Sequence, residues 1–145
     1  VIAVDTNILA YAHRPDYRDE HAPARDALAE LIGGARSWTV PWPCVHEFLA
    51  LVTNARAFRE PSPIDIAWAA VRAWFDSPGF IRIGESAQHL QTLERIARQG
   101  KIRAAMYHDA RIAAICIDNG VSEFWTADRD FSRFPELRLR NPLVA

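Results

Sequence analysis

At 145 residues, half of them apolar, the chain has the size of one domain and enough hydrophobic material for a core without disulfide or metal staples. No apolar run approaches the ~20 residues that cross a bilayer, and Val1–Asp5 carries no basic-then-apolar leader, so a soluble, cytoplasmic protein without membrane contact is expected. A formal net charge of −1 excludes a uniformly basic surface; arginine supplies every basic residue but Lys101, which suits phosphate recognition, though a GC-rich genome explains the bias equally well.

Val1–Val4 is a β-branched run that ends at Asp5 and reads as a buried strand. Ala24, Ala27, Leu28, Leu31 and Ile32 recur at helical spacing until Gly33-Gly34 ends the pattern. Trp38–Val40 is the second strand. Pro41 and Pro43 lead into a helix with its stripe at Val45, Phe48, Leu49 and Val52. Ser62 is placed to cap the next helix, with Pro63 at its first position and Ile64, Ala67, Trp68, Val71 and Phe75 on one face. Phe80–Ile83 reads as a third strand. Ser86 is placed to cap a helix with Leu90, Leu93, Ile96 and Ala97 inward, closed by Gly100. His108–Asn119 is apolar nearly all round and reads as a buried helix ending at Gly120. Glu123–Thr126 is the fourth strand, and Leu137–Arg140 alternates like an edge strand. Strands alternating with helices predict a parallel sheet covered on both faces, in a single unit over residues 1–145.

Ligands of an open parallel sheet collect beyond the carboxyl ends of its strands. Asp5 follows the first strand, with Thr6 and Asn7 after it; Asp128 and Asp130 follow the strand that ends at Thr126. Glu47 and Asp109 interrupt otherwise apolar segments. Each acid has a plain structural alternative. Asp5 can cap a following helix, Asp128 or Asp130 can serve a turn, and Asp109 suits the first turn of its helix. Glu47 can be solvated, although Ala50 and Leu51 are its helical neighbours. As a set they flank the most apolar segments, unlike Asp26, Glu30 and Glu94 on polar faces. Two carboxylates ~5 Å apart repel by about 3 kcal/mol at an effective dielectric of ~20, so a cluster of four requires raised pKa values or a cation. Carboxylate oxygens without thiolate favour Mg²⁺ or Mn²⁺ over zinc.

Other chemistries lack their residues. The chain holds no G-x-S-x-G, no P-loop and no G-x-G-x-x-G, and its five histidines form no metal-ligand spacing. Cys44 and Cys116 lie outside any C-x-x-C pattern and read as core fillers. His46 and His108 each precede an acid and either pack structurally or touch substrate. Trp68, Trp74 and Phe75 read as core, or with Phe58 as part of a partner surface. Arg14, Arg18, Arg129 and Arg133 are either solvated or available to phosphates.

Four segments in order resemble the motifs of PIN-domain ribonucleases: Asp5-Thr6-Asn7 after the opening strand, Glu47 in a Pro-rich-to-Glu-Phe-Leu segment, Tyr107-His108-Asp109-Ala110, and Thr126-Ala127-Asp128-Arg129-Asp130-Phe131. The tail from Arg133-Phe134-Pro135 to Asn141-Pro142-Leu143 is similar to VapC-type toxins. The lead-in Arg103-Ala104-Ala105-Met106 departs from the pattern. The resemblance implies a three-layer α/β/α fold and an endoribonuclease that hydrolyses RNA with metal-activated water, leaving a 5′-phosphate and a 3′-hydroxyl. It also implies a cognate antitoxin and a homodimer. By position, Asp5, Glu47, Asp109 and Asp128 form the catalytic and Mg²⁺- or Mn²⁺-binding set, with Asp130 a fifth acid and Asn7 and Thr126 in support. Two alternatives stand beside it. A PIN-like scaffold that only binds would be expected to have lost an acid. An aspartyl-nucleophile phosphatase wants a second acid where this chain has Asn7, and a lysine near the phosphate.

Overall fold

The computed structural model describes residues 1–144; Ala145, the last residue of the expected unit, lies outside the described residues. Four short strands form one all-parallel sheet: β1 (Ile2–Val4), β2 (Trp38–Thr39), β3 (Glu123–Trp125) and β4 (Leu139–Arg140), in the spatial order β2-β1-β3-β4. Strand β1 therefore lies inside the sheet, and Ile2, Ala3 and Val4 are fully buried, as their apolar run requires. The register sets Val4 beside Trp125. The ladder continues one residue further, since Asp5 N–H donates to the Trp125 carbonyl (2.9 Å) and Thr126 N–H to that of Arg140 (2.9 Å).

Six helices connect and cover the strands: α1 (Thr6–His13), α2 (His21–Gly33), α3 (Trp42–Val52), α4 (Ile64–Phe75), α5 (His89–Gly100) and α6 (Met106–Asp118). Helix α3 is central, packing on α1, α4 and α6, and it contributes Cys44, Val45, Phe48 and Val52 to the core. Phe48 meets Trp74 of α4 edge-to-face. Helix α6 buries Ala110 and Ile112–Cys116, and ends at Asn119 and Gly120, whose φ of 68° suits glycine. Asp118 accepts hydrogen bonds from Ser86 and Thr92 (both 2.7 Å), which fastens the start of α5 to the end of α6.

Several local expectations are corrected. Phe80–Ile83 is no strand: Phe80 makes one isolated parallel bridge to Trp38, and Ile81 and Arg82 turn outward at this sheet edge. Ser62 does not cap α4, where Pro63 holds the cap position; its hydroxyl instead meets His13 (2.9 Å) and Arg14 (3.1 Å). Ser86 does not cap α5 directly, because Gln88 is the boundary residue; Ser86 Oγ accepts from Gln88 N–H in the turn before it. Leu90, Ile64 and Trp68 were expected inward and are exposed. In α4 the inward stripe is Ala67, Val71 and Trp74, one helical step round from the expected one. The helix α1 was legible only as the option that Asp5 caps something, because eight residues give two turns and little periodicity.

Gly79 shows how tightly the β2 edge is closed. Its carbonyl accepts from Trp38 N–H (3.0 Å), and a Cβ there would overlap the Arg36 carbonyl oxygen. Gly79→Ala is expected to cost about 1–3 kcal/mol, read as a lower urea midpoint at unchanged slope. Gly33→Ala, with open space around its Cβ position, should leave the midpoint level or raised.

Candidate active site

The carboxyl ends of β1 and β3 meet because the two strands are hydrogen-bonded neighbours. Asp5 leaves β1 in extended conformation and caps α1, its Oδ1 accepting from Thr6 N–H (2.8 Å). Its other oxygen, Oδ2, accepts from the Thr126 hydroxyl (2.7 Å), a residue 121 positions away. The cap that the sequence allowed for Asp5 is therefore present and uses one oxygen, while the other is held by Thr126. Cys44 Sγ–H points at Oδ1 from α3 (3.7 Å).

Thr126 is the hub. While donating to Asp5, its Oγ1 accepts from Asp128 N–H (3.0 Å) and from the Asn7 side-chain amide (3.4 Å). Asn7 Oδ1 in turn accepts from Ala127 N–H (3.3 Å). Asn7 and Thr126 therefore splice the start of α1 to the turn after β3. Asp128 Oδ1 accepts from Asp130 N–H (2.9 Å) and caps the short 3₁₀ turn Arg129–Arg133, the turn role that its sequence position also allowed.

Thr6 is a residue that the sequence reading did not single out. Its hydroxyl donates to Glu47 Oε2 (2.8 Å), bringing an exposed α3 carboxylate to the mouth of the site. A hydroxyl between Asp5 and Asn7 was the available signal. Asp109, in the first turn of α6, is half-buried. Carboxylate oxygens of Asp109, Asp128 and Asp130 lie within 4.8 Å of one another. Asp5 sits deeper and is not part of that closest group, yet Glu47 and Asp109 both act on it electrostatically.

Burial and crowding act together. Burial pushes the Asp5 carboxyl up to about 6, the Thr126 and Thr6 hydrogen bonds oppose it, and the charges of Glu47 and Asp109 raise it further. Asp109 is pushed up to about 6 first by burial, then by Asp128, Glu47 and Asp130, with His108 opposing. Each pair of carboxylates at such separations repels by about 3 kcal/mol at an effective dielectric of ~20. Cys44 and Cys116 are free, buried and inert, their thiols driven well above the ordinary range by burial and by Asp5, and they make the surroundings of Asp5 apolar.

The donor set is all oxygen and mostly carboxylate, which fits a hard divalent ion of the Mg²⁺ or Mn²⁺ kind and not zinc. His46 and His108 are exposed at the rim. Of the arginines considered for phosphate contact, Arg14 is engaged elsewhere: it pairs with Asp16 (2.8 Å), donates to the Glu60 carbonyl and lies over the Phe58 ring. Phe58 itself is buried, so it is no part of an outer surface, whereas Trp68 is exposed and Trp74 is core.

The PIN domain family matches residues 2–137. Ribonuclease VapC43 of Mycobacterium tuberculosis is 35% identical over 143 residues, covering 99% of this chain and 96% of the relative. Ribonuclease VapC31 of the same organism is 33% identical, covering 97% and 98%. Two solved structures share the fold: VapBC2 from Rickettsia felis bound to a promoter DNA fragment (TM-score 0.66, 17% identity, 97% of each chain) and the sarcin-ricin-loop-cleaving toxin VapC20 of M. tuberculosis (TM-score 0.65, 22% identity, 95% and 99%).

The raised acids make a stability prediction. Because the folded pKa of Asp109 exceeds its ordinary 3.8, its favourable contribution is complete below about 3.8 and is lost as pH rises through about 6. Asp109→Asn should therefore raise the melting temperature in chelator at pH 7 by about 2–4 °C, corresponding to ~1 kcal/mol after discounting for solvent screening, and by almost nothing at pH 3. An equal gain at both pH values would contradict the electrostatic cause.

Proposed function

Because the chain belongs to the PIN-domain family, with VapC ribonucleases as relatives along almost its whole length, we propose that it is an endoribonuclease and the toxin partner of an antitoxin protein. The single observation that carries this reading is the convergence of Asp5, Asp109, Asp128 and Glu47, from four separate elements, on one end of the sheet. No acid position of the four motifs is empty, which is what hydrolysis needs and mere binding does not.

In this reading Asp5, Asp109 and Asp128 hold Mg²⁺ or Mn²⁺, with Glu47 and Asp130 at the rim. Such an ion, when bound, supplies positive charge for a phosphodiester and eases deprotonation of water. The chain's own residues do the positioning. Thr126 and Thr6 fix the Asp5 carboxylate by both oxygens, so it cannot swing as protons leave it. The Thr6 hydroxyl holds Glu47 where it faces an incoming strand. The bare acids repel a phosphodiester, so RNA enters only after the negative charge is relieved.

The same reading assigns RNA as substrate, the cytoplasm as location, and protein partners for the apolar outer face of α4, where Ile64, Ile66 and Trp68 are exposed. A second copy in a homodimer and the antitoxin are the proposed occupants. Among the described residues no helix is long and apolar enough to cross a membrane.

Purified chain freed of antitoxin should cut total RNA with Mg²⁺ or Mn²⁺ and stop in chelator, with end mapping showing 5′-phosphates. Asp5→Asn and Asp109→Asn should each lower the rate by more than about 100-fold while circular dichroism stays unchanged. Cleavage that ignores chelator, or turnover retained by Asp109→Asn, overturns the proposal.

A further inference from the structure

Next to the acids, beyond the carboxyl ends of β3 and β4, lies a cleft of about 300 Å³ that shares Thr126 and Asp128 with them. Its lining changes character within one residue of the cluster. Ala127, Leu139 and Val144 supply apolar surface, while Arg129 and Asn141 supply donors. Arg129 is exposed and pairs with no acid among the described residues. Asn141 uses its Oδ1 to accept from Leu143 N–H (3.0 Å), which fixes the side chain and leaves its amide hydrogens without a partner among the described residues. Arg140 also borders the cleft, but its guanidinium lies over Trp125 and pairs with Glu123, so it is wall and not contact.

Both walls are tied to the site by hydrogen bonds. Thr126 N–H donates to the Arg140 carbonyl, holding β4 and hence Asn141 in register, and Asp128 caps the turn that carries Arg129. The cleft therefore keeps its distance from the acids fixed. An apolar slot with one oriented amide and one guanidinium that pairs with no acid among the described residues suits a flat heteroaromatic base and the phosphate attached to it.

We propose that this cleft is a nucleotide subsite, seating the unpaired base next to the scissile phosphate of single-stranded RNA, with Arg129 on the flanking phosphate and Asn141 on the base edge. The proposal rests on the ribonuclease reading for its substrate. A base in this cleft has left its stack, so the subsite takes loops and single strands and excludes a continuous duplex. Arg129 offsets the acids at the point where the strand leaves them, which gives the RNA a direction across the site.

The test is binding of a fluorescein-labelled single-stranded RNA to the full chain carrying Asp109→Asn in Mg²⁺, followed by anisotropy at several salt concentrations. Adding Arg129→Ala should weaken binding about tenfold and lower the salt slope by about 0.7, the loss of one phosphate contact on a single strand. Arg129→Lys should recover the slope. Asn141→Asp keeps the bond to Leu143 and should flatten the preference among homopolymers. Arg72→Ala on exposed α4 should do nothing. Unchanged RNA binding in Arg129→Ala and Asn141→Asp overturns the subsite; DNA bound as well as RNA overturns its assignment to RNA. Failure of the parent reading looks different. If the unaltered chain cuts no RNA while Arg129 still governs binding, hydrolysis falls and the subsite stands. If it cuts RNA and Arg129→Ala leaves KM unchanged, the subsite falls and hydrolysis stands.

Discussion

The hydrogen bond from the Thr126 hydroxyl to Asp5 joins the ends of the first and third strands, and most of the site hangs from it. It exists because β1 and β3 pair in parallel with Val4 beside Trp125, which brings the next residue of each strand to the same edge. Once Thr126 holds Asp5 it has lone pairs left for Asp128 N–H and the Asn7 amide, so the turn after β3 and the start of α1 are set by the same oxygen. Glu47 joins through Thr6, the next residue of the chain. A short-range network of hydroxyls and amides thus converts sheet register into the placement of carboxylates.

That placement works against stability. A carboxyl buried in apolar surroundings beside Cys44 and Cys116, with other acids facing it, is driven upward in pKa, as Asp5 and Asp109 both are. The fold tolerates this on a large aromatic core in which Trp38, Phe48, Phe124, Phe131 and Phe134 are fully buried. The same unfavourable charge would favour a divalent ion under the proposed reading, since relief of repulsion would add to the direct attraction.

Much of this was legible in the order of residues. A long apolar run fixed α6 and short apolar runs β1 and β3; strand-end position pointed to Asp5 and Asp128, each of which also had a cap or turn alternative that the structure bears out. Motif resemblance supplied Glu47, which periodicity alone left between solvent and site. Thr6 offered only a hydroxyl between Asp5 and Asn7 as a signal, since its role depends on where α3 presents Glu47. The Phe80–Ile83 segment misled because its β-branched and aromatic residues suit a strand, while the edge beyond β2 offers only the single bridge to Trp38. The α4 stripe was misjudged by one helical step, because Ile64, Ile66 and Trp68 are as apolar as the residues that pack inward. Composition cannot distinguish a face covered by the chain's own core from one left for a partner.

The most direct measurement is a titration of the aspartate side-chain carboxyls by carbon-13 NMR, first in chelator and then in saturating Mg²⁺. Two carboxyls, assigned by Asp109→Asn and Asp5→Asn, should titrate near 6 without metal and move below the ordinary carboxylate range when Mg²⁺ is present. If Asp5 and Asp109 instead titrate near 4 and ignore Mg²⁺, the acids do not share one pocket that a cation relieves.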